Sequence, residues 1–223
     1  MTDVAQLSCT MTGDVFQPIR LYYKDHSEAG VLVAFRRLKL KCMEPDIWGN
    51  RWTWLYDDEA KKLKFERSYS LLPPEVCPIV LGSFYPGVHG HRFSDIGSVE
   101  RAVHAVQFFS RHIKKAVAEV EYAALYNGIF SPLNHPGPCF DKLFSGVDAS
   151  KIDARQEERL QRTIASASLP REFELVEAFR VSSVALEQLR SGLEMRRLVA
   201  LKRWSGDPDF CFADLVNEIT GAL

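Results

Sequence analysis

The sequence has no long apolar run. Nowhere does it approach the ~20 consecutive apolar residues of a membrane-spanning helix. Residues 1–6 also lack the basic and apolar regions of a signal peptide. We therefore expect no membrane contact and a cytoplasmic location. The length of 223 residues suits one domain, or one domain with a helical appendage.

Cysteine is scarce, and its few positions are scattered. There are five cysteines at wide spacing, and no pair forms a CxxC motif. This pattern predicts reduced, mostly buried thiols and excludes both a disulfide framework and a CxxC-type zinc site. No cysteine lies in a motif that would lower its pKa, so a catalytic thiol is not expected.

An excess of charge of either sign is also missing. The chain has 28 Lys and Arg against 29 Asp and Glu, a net charge of -1. No global field therefore attracts the protein to nucleic acid or to anionic lipid. Any contact with a negatively charged partner has to come from a local surface.

Several motifs that define a reaction are absent. The chain contains no GxSxG, GxxxxGK[ST], GxGxxG or HExxH. The acidic pairs Asp57-Asp58 and Glu157-Glu158 fall in a predicted turn and on a solvated helix face, where acid–base chemistry is not expected. The sequence thus predicts no cofactor, and it favours a binding protein over an enzyme.

Alternation of apolar and polar residues is the main structural signal in the N-terminal part. It predicts an antiparallel sheet of about five strands within residues 16–85. The predicted strands cover residues 16–23, 31–42, 51–56, 62–66 and 77–85, and a polar loop occupies residues 86–97.

Helical periodicity then takes over. Apolar residues recur every three to four positions from Val99 onward, and Ser98 is a suitable N-cap. We expect a long helix over residues 99–126 that covers the sheet. Further helices are predicted at 153–167, 183–204 and 210–220, and residues 171–181 fit a strand better than a helix.

Together these signals predict an α+β fold. A sheet-plus-long-helix region spans residues 1–130, and a mainly helical region spans residues 131–223. The Pro- and Gly-rich stretch 131–150 marks the boundary between them. We expect the two regions to pack as one unit.

Cations and aromatic side chains concentrate between residues 36 and 64. On the predicted sheet they share an accessible face, where cations follow phosphates and rings stack on bases at roughly 1–3 kcal/mol each. Two alternatives stay open, namely lysines on an ordinary solvated face and tryptophans in the core. The surface comprises Arg37, Lys39, Lys41, Trp48, Arg51, Trp52, Trp54, Lys62 and Lys64.

A second basic surface lies on the predicted helix 183–204. Arg190 and Arg197 are seven residues apart, as are Arg196 and Arg203. Residues 190–203 contain five cations and one acidic residue, Glu194, which is a local charge excess of +4. A basic amphipathic helix of this kind binds a nucleic-acid backbone or an acidic protein surface.

The polar loop offers a rival site. His89, His91 and Asp95 are spaced so that two imidazoles and a carboxylate meet on an extended segment, as in a metal site. Polar loop residues bonded to the backbone or to water are the simpler alternative. A metal-dependent hydrolase centred on these residues remains the alternative function.

The sequence as a whole favours a non-catalytic binding or assembly subunit. Its two basic surfaces would hold a negatively charged partner, such as single-stranded RNA or DNA in a larger complex, or an acidic protein surface. A protein–protein adaptor with Trp52 and Trp54 as an exposed anchor pair is a third hypothesis.

Overall fold

The computed structural model describes residues 6–38, 42–47, 51–86, 91–131, 139–172 and 174–221. Its strands are β1 Ile19–Asp25, β2 Met43–Pro45, β3 Trp52–Leu55, β4 Val80–Pro86, β5 His91–Ile96, β6 Ala118–Tyr126 and β7 Val176–Arg180. Its α-helices are α1 Glu28–Leu38, α2 Val99–His112, α3 Phe140–Leu143, α4 Ile152–Ser166, α5 Leu186–Trp204 and α6 Phe212–Gly221.

The strands form one antiparallel sheet in the order β2-β3-β4-β5-β1-β6-β7. The predicted α+β class is confirmed, but the prediction of about five strands was too low. In the described part of the chain, no helix is both long enough and apolar enough to cross a bilayer.

Residues 28–38 form helix α1, so the strand predicted over 31–42 is wrong for residues 31–38, and residues 39–41 lie outside the described part of the chain. The Oγ of Ser27 accepts a hydrogen bond from the Gly30 backbone N–H at 3.1 Å, which caps the first turn. The apolar residues alternate, but they also fit the spacing of one helical face. That buried face comprises Val31, Ala34, Phe35 and Leu38.

The long helix predicted over residues 99–126 is two elements. Helix α2 ends at His112, and residues 118–126 form β6, which pairs with β1 on one side and with β7 on the other. Residues 121–125 of β6 are all buried, so this part of the strand lacks the alternation of buried and exposed positions that marks a half-buried strand. Pairing with two neighbours decided between the two structures.

Two smaller predictions also fail locally. The strand predicted over residues 62–66 is absent, and its first residue is the last of a short 3₁₀ helix, Asp58–Lys62. The predicted polar loop 86–97 contains β5 at its end. In the C-terminal part, α4, α5 and α6 confirm the predicted helices, and β7 confirms a strand within 171–181.

The main core lies on the face of the sheet that packs against α1, α2 and α5, which we call the first face. Trp54 is fully buried there against Phe108 and Phe109, at ring-centroid distances of 5.5 and 5.1 Å. Leu189 and Leu193 of α5 join the same cluster. The predicted helical region therefore contributes directly to the main core.

The opposite side of the sheet, the second face, is covered over β1, β6 and β7 by the segment that contains α3 and α4. Tyr22 and Tyr122 of the sheet pack there with Phe144 and Ile152. Strands β4 and β5 place Ser83, Tyr85, Phe93 and Asp95 on this face by their register with β1, and these residues are half-buried. This region holds the candidate functional site.

Ser98 caps helix α2 as predicted, because its Oγ accepts a hydrogen bond from the Arg101 backbone N–H at 3.2 Å. Replacing Ser98 with Ala should lower the free energy of unfolding by about 0.5–2 kcal/mol. Urea denaturation measures the loss. Ser110→Ala, at an exposed position of the same helix, is the control, and an equal loss in both variants would contradict a capping role.

Candidate functional site

Trp52 and Trp54 do not lie on an accessible face. Their exposed fractions are 5% and 0%, and the ring of Trp52 lies 5.4 Å from that of Phe35 on α1. The prediction that these indoles form a stacking surface is wrong, because α1 and α2 cover them. The same burial removes the anchor pair of the adaptor hypothesis. Trp48 lies outside the described residues.

Among the cations predicted to accompany the tryptophans, those that the structure describes are on the surface. Arg37 lies in the last turn of α1, Lys62 ends the 3₁₀ helix, and both are exposed, as are Arg51 and Lys64. A role for these cations in binding a partner stays a prediction. The rings of Trp52 and Trp54 cannot contribute to it, because they are buried. Two further members fall outside the described residues, namely Lys39 and Lys41.

The basic residues of α5 mainly hold the fold together. Arg190 Nη1 lies 2.9 Å from Glu100 Oε2 on α2, and Arg196 binds Glu177 of β7 through both carboxylate oxygens at 2.7 and 3.0 Å. These contacts neutralise much of the charge excess that the sequence shows. The other two predicted residues, Arg197 and Arg203, are half-buried on the same helix.

Two of the three predicted metal ligands, His91 and Asp95, contact other side chains. Asp95 accepts hydrogen bonds from Arg20 on both carboxylate oxygens, at 2.6 and 2.9 Å. His91 Nε2 lies 3.2 Å from Glu121 Oε2. His89 lies outside the described residues, and the residues that the structure does describe include no group of three or more side chains suited to a metal.

A cavity of about 330 Å³ lies where the start of β4 meets the end of β5. It is bounded by the start of β4, the turn before α2 and the beginning of α3. Two acidic residues and one arginine contribute charge to its wall. The residues that line it are Phe16, Val80, Leu81, Gly82, Ser83, Tyr85, Asp95, Gly97, Arg101, Cys139, Phe140 and Asp141.

Arg101 is the unusual member of this wall. It is only 6% exposed, and its guanidinium donates to Thr12 Oγ1 at 2.8 Å and to the Val80 carbonyl at 3.0 Å. Thr12 in turn donates to Asp14 Oδ2 at 2.7 Å, so the nearest balancing carboxylate is one hydroxyl away. Burial lowers the pKa of Arg101 to about 10, and the charge of Asp14 opposes this shift only in part.

Arg20 holds the acidic part of the wall. Besides its two bonds to Asp95, it donates to Asp141 Oδ1 at 2.8 Å and thereby ties α3 to the sheet. Burial raises the pKa of Asp95, and Arg20 opposes that increase. Burial also disfavours the charged form of Arg20, but its two carboxylates outweigh this effect and raise its pKa.

The aromatic part of the wall is ordered by neighbouring strands. Tyr85 of β4 stacks on Phe93 of β5, with ring centroids 5.1 Å apart and planes 20° apart. The guanidinium carbon of Arg20 on β1 lies 4.1 Å from the centre of the Phe93 ring. Because β5 lies between β4 and β1, the three groups form one row across the second face.

A second polar cluster joins β6, β7 and α4. Arg180 forms an ion pair with Asp153 and donates to the Tyr122 hydroxyl at 2.9 Å, while that hydroxyl donates to Asp153 at 3.0 Å. Burial, followed by the bond to Asp153, raises the pKa of Tyr122 to about 12. These contacts bind α4 to the sheet.

Sequence reasoning found Asp95 but missed Arg20, Arg101 and Asp141. A signal for Arg101 exists, because Ala105 and Phe108 follow at four and seven positions along one face of α2, and both are buried. A cation at the start of such a face indicates a buried charge. No comparable local signal marks Arg20 or Asp141, because they are far apart in the sequence and the fold brings them into contact.

No known family matches this chain, and neither curated proteins nor solved structures gave a match. The fold and the cavity together define the structural class of the protein. It is an α+β protein with one antiparallel sheet and a cavity whose wall contains a buried arginine.

Proposed function

We propose that the protein is a non-catalytic binding or assembly subunit that holds an anionic group of its partner in the cavity beside Arg101. One observation carries this proposal. A nearly buried guanidinium lines a cavity, and its hydrogen bonds go to a hydroxyl and a carbonyl. Among the described residues, no carboxylate forms an ion pair with Arg101.

Buried charges in proteins are normally paired. The bonds to Thr12 and Val80 use only part of the N–H donors that a guanidinium carries. A phosphate or a carboxylate supplies the missing acceptors, because its oxygens match the planar fork of arginine. An anion in the cavity would therefore complete the electrostatics of Arg101.

The cavity favours holding charge over performing a reaction. Asp95 is bound on both oxygens by Arg20, so it is poorly placed to accept a proton from a ligand. Arg20 also engages Asp141, which leaves Arg101 as the cation that faces a ligand. This assignment keeps the predicted negatively charged partner but moves its contact from the Trp-rich segment to the second face.

The test uses Arg101→Gln and calorimetric titration with inorganic phosphate and with citrate at low ionic strength. Hydrogen bonds to charged groups contribute about 1.5–3 kcal/mol. We therefore expect Arg101→Gln to weaken anion binding by about 10- to 150-fold, a range that follows from that energy. Arg101→Lys, which keeps the charge but loses the fork, should lose less affinity than Arg101→Gln.

Arg111→Gln is the matched control, since it removes an exposed cation from the last turn of the same helix. It should bind phosphate like the unmodified protein. Circular dichroism of every variant separates lost binding from lost folding. Failure of the unmodified protein to bind either anion, or equal affinity in Arg101→Gln and Arg111→Gln, would refute the proposal.

A further inference from the structure

The cavity beside Arg101 has an aromatic wall that a simple anion does not need. Phe16, Tyr85 and Phe140 all line it. Phosphate or citrate gains little from these rings, whereas a flat heterocycle stacks on them favourably. The lining thus combines a site for negative charge with a site for a ring.

Tyr85 is the ring best placed to accept a stacked partner. Its contact with Phe93 is nearly parallel, and Phe93 is itself supported by Arg20. The ring of Tyr85 is therefore held in place before any ligand arrives. A side chain that is already fixed loses little conformational entropy on binding, which favours affinity.

Hydrogen-bonding groups complete the wall. Ser83 lies two residues before Tyr85 on β4, so both point to the second face. Asp141 uses Oδ1 for Arg20, but its side chain is 80% exposed and keeps acceptor capacity for an N–H or O–H group. The volume of about 330 Å³ is at the lower end of the range for small-molecule sites.

We infer that the anionic group is the phosphate of a nucleotide, with the phosphate on Arg101 and the base on Tyr85. This inference rests on the proposed function and names the ligand class of the same cavity. A free nucleotide and the phosphorylated end of a single-stranded nucleic acid share this chemistry.

The experiment compares inorganic phosphate, ribose 5-phosphate, AMP and UMP by calorimetric titration of the full chain. Stacking a base on an aromatic ring should tighten binding of AMP and UMP by about 5- to 150-fold relative to ribose 5-phosphate. Tyr85→Leu should remove this gain, whereas Tyr85→Phe, which retains the ring, should preserve it. The gain is calculated within each variant, as the ratio of its AMP and ribose 5-phosphate affinities, so a general loss of anion binding is not counted as a loss of stacking.

Competition against bound AMP distinguishes the two sources of the nucleotide. A short single-stranded oligonucleotide is tested with a 5′-phosphate and with a 5′-hydroxyl. Stronger competition by the phosphorylated form supports the end of a nucleic acid as the source. If AMP and UMP bind but neither oligonucleotide competes, the free nucleotide is the source.

Two failures have different meanings. If phosphate binds through Arg101 but AMP and UMP bind no better than ribose 5-phosphate, the nucleotide inference is wrong and the proposed anion site stands. If Tyr85→Leu keeps the full gain from the base, the inference is wrong in the same way. If no phosphate compound binds and citrate does not bind either, the proposed function itself fails.

Discussion

Replacing Trp54 with Ala should lower the free energy of unfolding by about 3–5 kcal/mol, the range measured for truncating a buried aromatic residue. The side chain is fully buried between the sheet and α2 and contacts Phe108 and Phe109. Its indole Nε1 has no hydrogen-bond partner among the described residues, so the loss comes from packing. Urea denaturation followed by far-ultraviolet circular dichroism measures it without relying on tryptophan emission.

Leu71→Ala is the control for this variant, because Leu71 is 70% exposed. Its free energy of unfolding should change by no more than about 0.5 kcal/mol. A loss below about 1 kcal/mol for Trp54→Ala would mean that this indole is not enclosed. That result would restore the surface tryptophan that the sequence suggested.

Replacing Arg20 with Met should destabilise the protein by about 3–5 kcal/mol at pH 7, because it leaves the buried carboxylate of Asp95 without its partner. The side chains of Arg20 and Asp95 are only 8% and 10% exposed. The double variant Arg20→Met, Asp95→Leu should lose less stability than Arg20→Met alone. Urea denaturation of all three proteins measures the difference.

This deficit should depend on pH with a defined sign. Burial raises the pKa of Asp95, and removing Arg20 takes away the charge that opposes the increase. With its folded-state pKa above the unfolded value of about 3.9, Asp95 binds its proton more tightly in the folded protein. Stability is then fully present below the unfolded pKa and is lost as pH rises through the folded pKa.

The deficit of Arg20→Met relative to the unmodified protein should therefore be smaller at pH 4 than at pH 7. In the double variant the carboxylate is gone, so this part of the pH dependence should disappear. A deficit of equal size at both pH values would show that Arg20 acts through packing on Phe93 and Phe144 alone.

The α1 segment shows why local pattern did not decide between helix and strand. Its valines and leucines satisfy both periods, and β-branched residues favour a strand. The burial of Phe35 against Trp52 and Phe84 is not visible in the sequence. Burial of one helical face against the sheet selects the helix.

In the candidate site, too, the local sequence pattern identified some residues, and only the fold identified their partners. His91 and Asp95 were predicted, with His89, as ligands of a metal site, and both described residues lie on the second face. The partner of Asp95 is Arg20, 75 residues earlier in the chain, and no local pattern joins them. Arg101 became a candidate only when the fold enclosed it beside a cavity.

The sequence by itself determined the fold class, the start of α2, the C-terminal helices and the balanced net charge, because these depend on composition, capping residues and the periodicity of single segments. The tertiary structure alone decided that residues 118–126 are a strand, that Trp52 and Trp54 are buried, and that Arg20, Asp95 and Arg101 share one end of the sheet. Pairing and burial depend on residues far apart in the chain, and a local pattern contains no information about those partners.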